Sequence, residues 1–255
     1  MDTSQKLTHL SLCAGYGGID LGLSRVFGDL EPVAYVEIEA FAAFNLFTKI
    51  EEGELPPGPI WTNLKTFPWE HFRERVGLLS GGFPCQPFSS TGQRKADSDP
   101  RHLWPYIREG IRVVRPALVF LENVEGILSA KLKGDQWADP AETPVALHVL
   151  RELERLGYSA EAGVFSAAEV GAPHQRKRVF FLALSNSLTD RHRGWLADKI
   201  RSPLGWSGQS ISEGWQQQAA LSRDAGAGHR WPARTGCEQF EWEPPRKITI
   251  KSQVG

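Results

Sequence analysis

Short apolar segments alternate with amphipathic ones along the first 185 residues, and this alternation restricts the fold more than any other feature of the chain. Residues 7–13 (LTHLSLC) read as an apolar strand running into the turn AGYGG, and 19–27 as a helix. Residues 32–38 form a second expected strand, followed by apolar helical spacing over 39–50. Further short strands are expected at 60–64, 76–80 and 117–123, with helices at 69–75 and 104–114. Residues 144–156 have the pattern of an amphipathic helix stopped by Gly157, and 178–184 (RVFFLAL) that of a last, very apolar strand. Strands separated by helices predict an α/β fold, doubly wound around a mostly parallel sheet covered on both faces. Ligands of such sheets bind outside the carboxyl ends of the strands.

After Ser185 the alternation stops. Residues 186–245 are rich in Gly, Ser, Gln, Arg and Trp, with Trp195, Trp206, Trp215 and Trp231 set between basic or glycine-containing stretches. A small irregular region is expected there rather than a disordered tail, because disordered segments are poor in aromatic residues. The chain thus divides into an α/β domain, 1–185, and a short, basic, Trp-rich region, 186–255. At 255 residues and 41% hydrophobic, it can bury one good-sized core with room for such an appendage.

The net charge of −1 hides an asymmetry: residues 171–255 carry 13 Lys/Arg and 7 Asp/Glu, whereas 1–170 carry 16 and 23. A basic final third is compatible with nucleic acid, and equally with an ordinary solvated surface. Cys13, Cys85 and Cys237 are too few and too scattered for a disulfide framework or a CxxC metal site, so no metal is expected. The amino terminus lacks the charged-then-apolar pattern of a signal peptide, and no apolar run reaches the roughly 18 residues that spanning a bilayer needs. A cytoplasmic, reducing location of bacterial or phage type is expected, with no membrane partner.

Two ends of the expected sheet carry chemistry. LSLCAGYGGIDLGL (10–23) is a strand, a glycine turn and a helix start, where Gly15 and Gly17 let backbone approach a ligand at the helix amino terminus. A GxGxxG fingerprint would place a small residue at 20, which is Asp20. Glu37 ends the second strand, 20 residues after Gly17, where a carboxylate grips ribose hydroxyls. Together they suit a nucleoside cofactor without phosphates, such as S-adenosylmethionine; the alternative is a tight turn with a surface glutamate.

At the other end, GGFPCQPFSSTG (81–92) places Cys85 beyond an apolar strand, between prolines that restrict the backbone. Such a thiol has a reactive rather than a packing role. Glu122 closes the apolar run ALVFL, where desolvation would favour its protonated form and suit it to proton donation; a glutamate capping the next helix is the alternative. Arg176 and Arg178, in GAPHQRKRVFFLAL, have the fork geometry for a carbonyl or phosphate, or are solvated basic residues.

In this order the pieces resemble the DNA (cytosine-5) methyltransferase family, over roughly residues 10–184. AGYGG matches the family's FxGxGG glycines, Glu37 its strand-end acid, Pro84-Cys85-Gln86 its PCQ, Glu122-Asn123-Val124 its ENV, and His174 to Arg178 its QxRxR. The resemblance implies a sheet of the S-adenosylmethionine-dependent methyltransferase type, with S-adenosyl-L-methionine held by Cys13, Gly15, Gly17, Gly18, Glu37, Ile38, Asn63, Pro84 and Leu103. It implies that the Cys85 thiolate adds to carbon 6 of cytosine, turning the ring into an enamine whose carbon 5 takes the methyl group. Glu122 would support the addition at ring nitrogen 3 and the exocyclic amine. Arg178 would contact the base carbonyl, and Arg176 would support the active-site loop. Asn123 is placed on the DNA side, bracing the cysteine loop, with Gln86 and Ser89 holding the displaced strand. The substrate implied is duplex DNA with the target base flipped out, as in restriction-modification, by a monomer.

Three departures stand out. Asn63 replaces the usual aspartate, and His174 the usual glutamine. The family's GNxV-type segment, which completes the cofactor pocket, has no match before the chain ends in KSQVG. The expectation is a truncated or degenerate member, or one completed by a second chain. Rival readings are an inactive cofactor-binding remnant and an RNA cytosine-5 methyltransferase.

Overall fold

The structure, a computed structural model, describes residues 6–28, 30–84, 103–133 and 137–188. Among these residues the order of elements is β1 (Leu7–Leu12), α1 (Gly18–Phe27), β2 (Leu30–Val36), α2 (Ala40–Glu51), β3 (Ile60–Trp61), β4 (Leu78–Gly82), α3 (Trp104–Val114), β5 (Leu118–Val124), α4 (Val145–Arg155), β6 (Tyr158–Ser166) and β7 (Lys177–Ser185). The seven strands form one sheet in the order β3-β2-β1-β4-β5-β7-β6. β3 to β5 in that order are mutually parallel, while β7 runs antiparallel to both β5 and β6. The mostly parallel, doubly wound architecture expected from the sequence is therefore present.

Strand alternation explains how both faces are covered. In β4, Leu78 joins Leu23 and Phe27 of α1, while Leu79 points the other way, into the core formed with Ile107 and Ile111 of α3 and Val149 and Leu153 of α4. Under α2 a third cluster gathers Tyr35, Leu46 and Leu55. Each fully buried Leu or Ile contributes about 1.5–3 kcal/mol of transfer free energy, so these faces hold the sheet rigid beneath its carboxyl edge. Beyond β5, Asp139 accepts hydrogen bonds from His148 Nδ1 (2.7 Å), Arg151 Nη1 (3.2 Å) and Arg155 Nη2 (2.7 Å). Glu152 pairs with Arg108 and Arg155, so one charge cluster ties α3, α4 and the preceding loop together.

The local differences from the sequence reading have physical causes. The helix expected at 69–75 is a 3₁₀ turn of four residues, Trp69–Phe72. Glu74 has a φ of +58°, which a helix does not accept. The Trp69 indole instead fills the space over Gly110, where an added Cβ would lie 2.6 Å from the ring. The strand expected at 60–64 is only Ile60–Trp61, and the strand at 76–80 is shifted to Leu78–Gly82. β6 was not expected: its sequence, YSAEAGVFS, is rich in small residues, and most of its positions are half-buried at the sheet edge. Among the described residues, no helix is long and apolar enough to cross a membrane.

Candidate active site

The sheet order reverses between β1 and β4, and such a switch point opens a crevice at the carboxyl edge. Every described candidate site residue lies at or near that edge, Leu103 included, since the ring of its neighbour Trp104 lies 5.7 Å from that of Phe83 just past β4. On the β1–β3 side, the chain leaves β1 through three left-handed residues, Cys13 (φ +48°), Gly15 (+55°) and Gly17 (+73°). A Cβ at Gly17 would lie 2.6 Å from Leu55 Cδ1, so this position needs glycine for both conformation and space. Gly15 N donates to Glu37 Oε2 (2.8 Å) and Glu39 N donates to Glu37 Oε1 (2.8 Å). Glu37 is only 8% exposed, and it braces the glycine turn with lone pairs to spare for further donors. Burial and the Glu37 charge push the half-buried Cys13 thiol up to about 12, so it stays protonated.

Ile38 follows with its side chain 68% exposed, an apolar surface left uncovered beside the acid. Asn63 stands just past β3, its Oδ1 accepting from Lys65 N (3.0 Å). A buried carboxylate against the glycine turn and an uncovered aliphatic side chain past β2, with a carboxamide past β3, make a set that fits an adenosine group without phosphates. Gly18 begins α1, Pro84 follows β4, and Leu103 precedes α3 and packs on the main core.

On the β4–β5–β7 side, Arg178 Nε lies 2.6 Å from Glu122 Oε1, each side chain 22% exposed. Glu122, expected to be desolvated at this strand end, is half-buried and ion-paired. Arg178 Nη1 also donates to the carbonyl of Lys177 (2.8 Å). Gly82 makes room for Glu122: an added Cβ there would lie 3.2 Å from Oε2. The sequence reading did not single out Gly82, although the Gly81-Gly82 doublet ending an apolar strand was its signal. Asn123 is 1% exposed; its Nδ2 donates to the Phe83 carbonyl (2.8 Å) and its Oδ1 accepts from Val124 N (2.9 Å). It thus ties the exit of β4 to the end of β5 and does not face solvent, so bracing, not strand contact, is the role its geometry suits. Arg176 is exposed, its amide 3.4 Å from His174 Nδ1. Cys85, Gln86 and Ser89 lie outside the described residues, as does the Trp-rich region from residue 189 on.

The model of the family described as C-5 cytosine-specific DNA methylase matches residues 7–223. The chain belongs to that family. It is 33% identical over 188 residues to the Type II methyltransferase M.NgoMIV of Neisseria gonorrhoeae, covering 72% of this chain and 54% of the relative. It is also 33% identical over 182 residues to the Type II methyltransferase M.NaeI of Lentzea aerocolonigenes, covering 71% and 41%. The chain thus spans about half the length of the curated relatives it matches. Among solved structures, a Spodoptera frugiperda DNMT2 mutant superposes with a TM-score of 0.56 at 22% identity, over 72% of this chain and 51% of that one. A putative DNA modification methyltransferase encoded within an Escherichia coli prophage gives 0.54 at 21%, over 73% and 50%. These likenesses are of fold: this member of the family shares the fold of those methyltransferases.

Proposed function

We propose that this member of the cytosine-5 methylase family methylates carbon 5 of cytosine in duplex DNA, using Cys85 as nucleophile on a flipped-out base, alone or with a complementing polypeptide. The observation that carries the reading is the Glu122–Arg178 pair on the same sheet edge as the Gly15–Glu37 turn. One half of the edge suits a nucleoside and the other a polar, planar ring.

Glu37, Ile38 and Asn63 would hold the adenosine part of S-adenosylmethionine, with Cys13, Gly15, Gly17 and Gly18 lining the turn and Pro84 and Leu103 closing the side toward β4. When bound, this cofactor supplies the methyl group. Cys85, two residues beyond the carbonyl that Asn123 holds, adds as thiolate to carbon 6 of the base. Glu122 hydrogen-bonds or protonates the ring at nitrogen 3 while Arg178, oriented by Glu122, faces the base carbonyl; Arg176 supports the adjoining loop. After carbon 5 is methylated its proton leaves to a base, and the thiolate is expelled. Gln86 and Ser89 hold the displaced strand.

Incubation of the full chain with methyl-labelled cofactor, duplex DNA and tRNA in competition tests this reading. Label in 5-methylcytosine of DNA supports it. Label in tRNA selects the RNA reading, and saturable cofactor binding without transfer selects the binding-only remnant.

A further inference from the structure

Beneath the glycine turn lies a polar cluster with no part in the chemistry above. His9 of β1, Asp20 of α1 and Ser80 of β4 are each 1% exposed or less. His9 Nε2 shares a hydrogen bond with Ser80 Oγ (2.8 Å), and His9 Nδ1 faces Asp20 Oδ1 at 3.6 Å. The order Ser–His–Asp is that of a nucleophilic triad, but no substrate reaches three side chains sealed in the core. At 3.6 Å the His9–Asp20 contact is longer than a hydrogen bond. His9 Nδ1 and Ser24 Oγ are buried without a hydrogen-bond partner, and the Asp20 carboxylate, with the buried Ser11 hydroxyl beside it, is left without a well-formed one.

Buried polar atoms without partners are rare and destabilising. Asp20 opposes folding in a second way, since burial outweighs the Ser11 hydroxyl and a backbone amide and pushes its carboxyl up to about 6, and an ionised form near neutrality is poorly solvated. Burial likewise pushes His9 down to about 4, keeping the imidazole neutral. A residue that works against its own fold is where a functional demand is to be sought. The location supplies one. Asp20 is the third residue of α1, two residues after Gly18, and Ser80 lies on β4 two residues before Gly82. The cluster therefore links the first turn of α1, through β1, to the strand that leads to Cys85. A shift of α1 toward β1 by less than 1 Å would close the Asp20–His9 contact to hydrogen-bonding distance.

We propose that Asp20, acting through His9 on Ser80, is a positioning residue that sets the first turn of α1 against β1 and β4 when a ligand is seated on the glycine turn. The proposal rests on the assignment of that turn to S-adenosylmethionine. Asp20 does not touch the ligand; it transmits the ligand's contact with residues 13–18 to β4.

The test uses the full chain labelled with ¹⁵N-histidine, with the His9 resonances assigned by their loss in His9→Gln. S-adenosylhomocysteine is titrated in, and binding is followed in parallel by calorimetry. The His9 ring nitrogens are expected to shift with the calorimetric midpoint. Asp20→Ala is expected to raise the dissociation constant about tenfold, about 1.4 kcal/mol, without lowering the unfolding midpoint. Asp20→Asn, which keeps a hydrogen-bonding group facing Nδ1, is expected to restore affinity to within about twofold of wild type. Ligand binding with unmoved His9 resonances overturns the proposal alone, as does an Asp20→Ala affinity within twofold of wild type. No binding to the wild-type chain overturns the cofactor assignment, and the proposal falls with it.

Discussion

Glu122 and Arg178 meet across the antiparallel β5–β7 pair, with Arg178 Nε 2.6 Å from Glu122 Oε1. Their strands run in opposite directions, so an acid near the end of one and a base near the start of the other arrive on the same edge. Glu122→Gln keeps the shape and removes the charge. It should slow methyl transfer by roughly 10²–10⁴-fold, the usual contribution of a general acid, with cofactor affinity within about twofold. Single-turnover kinetics and calorimetry separate the two, and equal losses in both would contradict the acid role.

Arg178→Ala removes the partner of that acid, and the double variant Glu122→Gln/Arg178→Ala should lose little more activity than the worse single variant. Side chains that act as a unit give non-additive losses. A double variant whose loss is the product of the two single losses would mean that the residues act separately.

Glu37 belongs to the other half of the edge. Glu37→Ala frees Gly15 N and Glu39 N together and should raise the cofactor dissociation constant about tenfold or more. Covalent trapping of a duplex carrying 5-fluorocytosine should persist at saturating cofactor, whereas Cys85→Ser should abolish it. Trapping lost in Glu37→Ala at saturation would argue against two separable half-sites.

Asn123→Ala leaves the Phe83 carbonyl and the Val124 amide without their side-chain partner. Each such loss is worth about 1–3 kcal/mol. Chemical denaturation should show a fall of that size, and the rate of 5-fluorocytosine trapping should fall further than stability accounts for. Unchanged trapping would assign Asn123 a packing role only.

Two buried aspartates should respond to pH with opposite signs. Burial would raise the Asp139 carboxyl, but hydrogen bonds from Arg155 and His148, with the Arg155 charge and Arg151, outweigh it and hold the group well below the usual carboxylate range. Its stabilisation is therefore complete above the unfolded value of about 3.9 and is lost as pH falls below that. Asp20 is raised to about 6, so stability is complete below about 3.9 and is lost as pH rises through 6. Asp20→Asn should thus be more stable than wild type by about 2–3 kcal/mol at pH 7 and no different at pH 3. Asp139→Asn should be less stable at pH 7, with the gap narrowing below pH 4. Melting curves from pH 3 to 8 check both.

Much of this was legible in the sequence because strong local signals coincide with the sheet's edge. The run into AGYGG, Glu37 at the end of β2, and Glu122 at the end of ALVFL each mark a strand terminus, and strand termini are where this fold places ligands. The Glu122–Arg178 pairing was not legible. It depends on β7 entering between β5 and β6 in reverse, a property of long-range order that no local pattern carries. β6 escaped for a different reason: its sequence is rich in small residues and most of its positions are half-buried, so neither face carries an apolar stripe. The His9–Asp20–Ser80 cluster was invisible because its members lie 11 and 60 residues apart, and each alone reads as an ordinary polar residue in an apolar run.

The reversed strand also makes the two halves of the edge independently variable. The glycine turn, Glu37 and Asn63 hang on β1, β2 and β3, whereas Arg176 ends the connection between β6 and β7 and Arg178 is the second residue of β7. Residues 171–176 can therefore be lengthened, shortened or recharged without a single change in β1, β2 or β3. A lineage that keeps one methyl donor while changing the polymer it acts on would find its freedom in that hairpin.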